Sequence, residues 1–183
     1  MIAFGVNFSF YYLLLTKNFY EAFHLEEVGA YLAIILCAGL AITWQIEPRY
    51  GNFEEALRVA YFQVGSIITT TGFSTVDFDL WPSFSKTILV MLMIIGACAG
   101  STTGGIKCIR MVILFQVVKN EFKHILHPNA VLPVRVNKQV ISPSIQSTVL
   151  AFTFLYAVIA IISILIMMGL GVGFLESIGT VIS

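Results

Sequence analysis

The sequence predicts an all-α membrane protein with one membrane helix broken in its middle. Three observations predict it. The 183-residue chain is 58% hydrophobic and 11% charged, with mean hydropathy +0.91, whereas a soluble domain carries about 25% charged residues. Its apolar residues gather into helix-length runs, Val28 to Trp44, Phe84 to Ile95, Cys108 to Val118 and Gln146 to Leu170. The second and third runs are separated by "GACAGSTTGGIK", Gly96 to Lys107, whose glycines each cost about 1 kcal/mol in a helix interior.

The elements follow in order. Met1 to Leu15, "MIAFGVNFSFYYLLL", falls short of the roughly 20 residues of a full span. It has no positive leader region or cleavage site and reads as the tail end of a membrane helix. Asn7-Phe8-Ser9 fits the glycosylation pattern by chance inside an apolar run. Lys17 to Glu27 is a polar connector. Val28 to Trp44 is a span with Trp44 at an interface. Pro48 and Gly51 break the chain. Asn52 is placed as a helix N-cap, with Glu54 and Glu55 in the first turn. The helix Phe53 to Ile68 is amphipathic and too short and polar to span. Trp81-Pro82-Ser83 marks a second interface and a helix start. Lys119 to Ser144 is polar and basic, with prolines at 128, 133 and 143. "GVGFLESIGTVIS" closes the chain after the last span. Its Phe174, Glu176, Ser177 and Ile178 match Phe53, Glu55, Ala56 and Leu57, and both segments follow a span by a short break. A repeat of span, break and short helix is therefore expected.

Net charge is zero, so nothing points to nucleic acid. Cys37, Cys98 and Cys108 lie in or beside apolar runs without ligand spacing and read as free thiols. His124 and His127 read as solvated residues of a basic connector. No nucleophile–base or metal-ligand constellation appears, so neither an enzyme nor a cofactor is expected.

The stretch "IITTTGFSTVDFD", Ile67 to Asp79, sets Thr69, Thr70, Thr71, Ser74 and Thr75 around Gly72. A loop at membrane depth must be buried in protein or line a water-filled cavity. Gly72 admits backbone angles closed to other residues, and threonine hydroxyls add oxygen ligands. Potassium filters are built from loops of sequence TVGYG, and Thr70-Thr71-Gly72-Phe73 aligns with its first four positions. Thr71 replaces Val, and Ser74 replaces the last Gly. The preceding helix would turn the negative end of its dipole toward a cation.

On "TTTGFST", "GACAGSTTGGIK" followed by "CIR", and "GVNFSFYYLLL", nearly the whole chain resembles the Trk/Ktr/HKT superfamily of cation transporters. It is most similar to the Trk-type bacterial potassium uptake membrane subunit. The resemblance implies four helix–pore-loop–helix units in one polypeptide around a pseudo-fourfold pore in the bacterial inner membrane. Residues 1–26 would end the second unit, 27–123 would be the complete third, and 124–183 would hold a cytoplasmic connector, a span and the start of the fourth pore helix. The chain would then be a fragment of a longer protein. Thr70, Thr71, Gly72 and Phe73 would bind potassium, with the ion at Thr70 and Thr71. The implied partners are the other pore units, a second copy in a homodimer, membrane lipid and a cytosolic nucleotide-binding regulatory subunit.

Three readings compete for Gly96 to Lys107. A phosphate loop requires GxxxxGK[ST], but Ile106 follows Gly105, and Cys108 is not Ser or Thr. Gly96, Gly100 and Gly104 at four-residue spacing suit close helix packing. In the third reading, which the resemblance supplies, Gly96, Gly100, Ser101, Thr102, Thr103, Gly104, Gly105 and Lys107 form an intramembrane loop that obstructs the pore until moved.

Six of the ten Lys and Arg, Lys107, Arg110, Lys119, Lys123, Arg135 and Lys138, crowd the segment that holds the connector. This bias makes the connector cytoplasmic and turns Asp77 and Asp79 outward, where they concentrate cations. Arg110 is either a functional intramembrane charge or a side chain snorkelling to the interface. The function expected is potassium uptake. The alternative is a secondary transporter of another solute, with a midplane site at the broken helix.

Overall fold

A computed structural model describes residues 1–23, 25–127, 133–137 and 139–182. Among the described residues eight α-helices follow in order: α1 Phe8–Leu15, α2 Phe19–Phe23, α3 Glu26–Tyr50, α4 Phe53–Ile68, α5 Ser83–Ile95, α6 Cys108–Leu126, α7 Pro143–Gly169 and α8 Phe174–Ile182. Among the described residues two helices, α3 and α7, are long and apolar enough to cross a membrane. Helix α7 is apolar all round and almost uncovered by the rest of the chain, with Phe154, Leu165 and Ile166 exposed. A helix of this length and composition can cross a membrane.

Local signals account for the boundaries of the central unit. The Asn52 side chain accepts the Glu54 N–H at 3.1 Å, and α4 runs to Ile68 as the sequence predicts. Helix α3 runs past the predicted end at Trp44 and includes Pro48. Pro48 removes one i→i−4 bond close to the helix end without stopping the helix; the break falls at Gly51, whose φ of +65° gives the left-handed cap. Trp44 is 81% exposed, but Trp81 is 4% exposed and packs in the core, not at an interface. Helix α5 begins at Ser83 as read. Helix α6 continues two turns beyond Val118 into the polar connector.

Three further segments differ from the sequence reading. Met1 to Leu15 is not one helix: a 3₁₀ turn spans Ile2–Gly5, and Asn7 caps α1 by accepting the Ser9 N–H at 2.8 Å. The polar connector Lys17–Glu27 contains α2. The helical fold also carries one antiparallel hairpin, β1 Arg135–Val136 with β2 Gln139–Val140. Val134 and Val136 bury against Ile113 of α6 and Val149 of α7, which draws this basic segment into a small core of its own. Pro128 and Lys138 lie outside the described residues. The order span, break, short helix recurs from α3–α4 to α7–α8. Ala56 and its match Ser177 are both fully buried, and Phe53 and Phe174 are both exposed.

The main core lies between α3 and α4. Tyr31, Ile35, Ile42 and Ile46 of α3 face Ala56, Ala60, Val64 and Ile68 of α4, all buried. Gly39 leaves a notch in α3 that the Tyr61 ring fills: a Cβ there would lie 2.5 Å from the ring. The Tyr61 hydroxyl then donates to the Leu36 carbonyl at 3.2 Å. Gly39→Leu should expel the ring and destabilise the protein by about 1–3 kcal/mol. A lowered melting temperature by fluorescence-detected gel filtration is the expected result.

Candidate functional site

Helix α4 ends in a cluster of threonines that bond back to it. The Thr69 hydroxyl donates to the Gly65 carbonyl at 2.6 Å, and the N–H groups of Thr70 and Thr71 bond the carbonyls of Ile67 and Ser66 at 3.0 and 2.9 Å. The terminal carbonyls of α4 thereby find partners. Thr69 and Thr71 hydroxyls pair at 2.7 Å. Thr70 and Gly72 have φ of +48° and +77°, whereas Thr71 and Phe73 do not have positive φ. Handedness thus alternates along Thr70 to Phe73. Ser66 donates to the Phe73 carbonyl at 2.5 Å, and Ser74 donates to Gln63 at 3.3 Å. Thr71, Gly72, Phe73, Ser74 and Thr75 face outward from the chain, while Thr69 is buried. Beyond them, Arg49 and Lys86 donate to the carbonyls of Leu80 and Asp79. Asp77 accepts its neighbour Asp79 N–H at 3.0 Å.

The break between α5 and α6 is a closed loop. Ile106, Lys107 and Cys108 donate their N–H groups to the carbonyls of Ile94, Ile95 and Ala97 at 3.1, 3.0 and 2.9 Å. The end of α5 and the start of α6 thus satisfy each other. This closure demands that backbone touch backbone. A Cβ on Gly96 would lie 2.5 Å from the Gly104 carbonyl oxygen, and one on Gly105 would lie 3.0 Å from that of Met93. Gly96, Gly100 and Gly105 all have positive φ, as does Lys107. Inside the loop, the Lys107 ammonium donates to the carbonyls of Ser101 and Thr103 and to the Thr103 hydroxyl. Ser101 and Thr103 hydroxyls pair at 2.8 Å, and Thr102 is exposed.

The two loops meet. The Gly104 N–H donates to the Thr70 hydroxyl oxygen at 3.1 Å. Of the predicted site residues, Thr70 and Gly104 are thus brought into contact, and Ser101, Thr103 and Lys107 bond one another within the same loop. The loop is also held from behind. Glu27 of α3, 4% exposed, accepts the Ala99 N–H and the Asn7 amide, the latter at 3.2 Å. Cys98 donates its N–H to the Gly5 carbonyl at 3.0 Å. Arg110 lies 3.9 Å over the Phe152 ring of α7 and donates to the Ile106 carbonyl. It braces the two helices.

A family model described as "TrkH: Cation transport protein" matches residues 50–183. The chain belongs to the TrkH family. It is 29% identical to the Trk system potassium uptake protein TrkG of Escherichia coli, over 96% of this chain and 36% of that protein. It is 30% identical to the Trk system potassium uptake protein TrkH of Salmonella typhimurium, over 98% of this chain and 38% of that protein. The crystal structure of the potassium transporter TrkH from Vibrio parahaemolyticus superposes with a TM-score of 0.85 at 27% identity, covering 97% of this chain and 39% of that one. The chain therefore spans a little over a third of the length of these relatives.

Sequence reading misses Glu27, Asn7, Ser66 and Gln63 of this candidate site. Glu27 falls at the end of the polar connector, and Asn7 falls in the chance glycosylation pattern. A polar residue inside or abutting an apolar run was the available signal. The closed loop separates two classes of glycine. Gly96→Ala and Gly105→Ala should each cut folded yield and melting temperature sharply, since both the angle and the space forbid a methyl. Gly104→Ala, whose methyl would lie 3.5 Å from that of Thr70, should fold with a melting temperature near wild type.

Proposed function

We propose that this chain is part of a potassium uptake protein, in which Thr70, Thr71, Gly72 and Phe73 line the selectivity filter and Gly96 to Lys107 gates it. The observation that carries this reading is the bond from Gly104 N–H to the Thr70 hydroxyl. It sets a mobile type of segment, glycine-rich and hydroxyl-rich, directly against the inner end of the ion-binding row.

Several features support the filter. Alternating backbone handedness from Thr70 to Phe73 is the kind of backbone that lets successive carbonyls face one side and replace an ion's hydration shell. The Ser66 bond to the Phe73 carbonyl fixes the outer end of the row without using both its lone pairs. Helix α4 contributes the negative end of its dipole. Exposed Thr71 to Ser74 suit one wall of a pore whose other walls come from further units, with 27–123 as one complete helix–pore-loop–helix unit of a pseudo-fourfold ring. The potassium uptake relatives support the substrate. The same family reading gives a multi-pass protein of the bacterial inner membrane, a homodimer that works with a cytosolic nucleotide-binding subunit.

A Cβ at residue 72 would meet nothing within 4 Å in this chain, so Gly72→Ser strains the backbone, at φ +77°, without a clash inside the unit. In the whole transporter, Gly72→Ser should weaken potassium-over-sodium preference severalfold in rubidium and sodium uptake assays. Shortening Ala99–Gly105 should raise potassium flux per folded molecule and leave that preference largely intact. Unchanged preference in the first variant contradicts the filter, and no gain in the second contradicts the gate.

A further inference from the structure

The loop is held by a buried carboxylate that lies 72 residues before Ala99 in the chain. We propose that Glu27 is a positioning residue that latches the Gly96–Lys107 loop in its blocking place, with Asn7 as its orienting partner. The proposal rests on the reading of that loop as a gate.

Four observations build the latch. Glu27 is buried in the first turn of α3, where a carboxylate also faces the positive end of the helix dipole. One carboxylate oxygen accepts the Ala99 N–H, and the other accepts the Asn7 side-chain amide at 3.2 Å. Asn7 is itself fixed, since its carbonyl oxygen caps α1 by accepting the Ser9 N–H at 2.8 Å. A Cβ on Gly100 would lie 3.3 Å from that same Asn7 oxygen, so the loop passes directly over the pair. The loop is thus held from outside at three points, Cys98 to Gly5, Ala99 to Glu27 and Gly104 to Thr70. The last lies at the proposed filter. Of the three, the Ala99 bond is the one made to a charged acceptor, which makes it the strongest.

The consequence is chemical. A loop that leaves the Thr70 position carries Ala99 with it and strands the Glu27 carboxylate with one partner in a dry site. Opening therefore costs the charge-assisted bond. Replacing the carboxylate by a carboxamide lowers that cost. Gln at 27 must turn a donor toward either the Asn7 amide or the Ala99 N–H, so one bond is lost whichever way it sits. The exchange of groups restores both bonds. With Asn7→Asp and Glu27→Gln together, the new amide donates to residue 7, its oxygen accepts Ala99 N–H, and the second carboxylate oxygen keeps the Ser9 cap.

The test uses the whole transporter in liposomes, with flux normalised to folded protein and melting temperature measured in parallel. Glu27→Gln should raise potassium flux roughly tenfold with unchanged potassium-over-sodium preference. The Asn7→Asp, Glu27→Gln pair should return flux toward wild type. In the Ala99–Gly105 shortened background, Glu27→Gln should add nothing, because the N–H it would release is gone. If shortening raises flux and Glu27→Gln does not, the latch is wrong while the gate stands. If shortening itself raises no flux, the gate reading fails first. If Glu27→Gln lowers flux and melting temperature together and the exchange restores both, Glu27 is a structural brace and the latch is overturned.

Discussion

Main-chain groups in the middle of a membrane segment must find partners within the protein, and this constraint shapes the molecule. Each unsatisfied group in hydrocarbon costs several kcal/mol. The break between α5 and α6 would expose the last carbonyls of one helix and the first N–H groups of the next. It closes instead by joining them, Ile106 to Ile94, Lys107 to Ile95 and Cys108 to Ala97. Closure at that distance requires Gly96 and Gly105 at the waist, and it forces the residues between to bulge as a loop. What the bulge contains then settles how it behaves. Lys107 fills the loop with an ammonium that satisfies its own carbonyls, and Thr70, Glu27 and Gly5 take three of its N–H groups from outside.

The same constraint explains the hydroxyls around Gly72. They do unlike work. Thr69 returns its proton to the helix it ends, Thr70 accepts from the neighbouring loop, and Thr71 pairs with Thr69. Ser74 bonds Gln63 and the Val76 carbonyl. A helix end and a loop at depth consume hydroxyls before any ion is considered. Tight turning without further backbone partners would leave the row loose. The buried Ser66 and Gln63 of α4 supply that support from one helix face.

Much of this was legible in the sequence where the signal is local. Asn52 as a cap, the limits of α4, the start of α5 and the glycine break each depend on residues within a turn or two. The family and its cation transport character were legible from "TTTGFST" and "GACAGSTTGGIK". What stayed hidden depends on distant residues. Glu27 reads as one more acidic residue of a polar connector until Ala99 is brought to it. Gly39 reads as an ordinary helix glycine until the Tyr61 ring fills its notch. The hairpin at Arg135–Val140 has strands of two residues each and no alternation to detect; its turn residue Asn137 accepts the Glu26 N–H and so caps α3, a contact between segments 111 residues apart. Trp81 carries the signature of an interface residue, yet the core claims it.

The proposed gate depends on the contact between Gly104 of the loop and Thr70 of the proposed filter row. Introducing Thr70→Cys and Gly104→Cys together, with Cys37, Cys98 and Cys108 replaced by alanine or serine, tests it directly in the whole transporter. An oxidant should join the pair and reduce potassium flux to near background, and a reductant should restore it. A crosslink that forms in full yet leaves flux unchanged would show that the loop can rest on Thr70 without closing the pore, and would contradict the account.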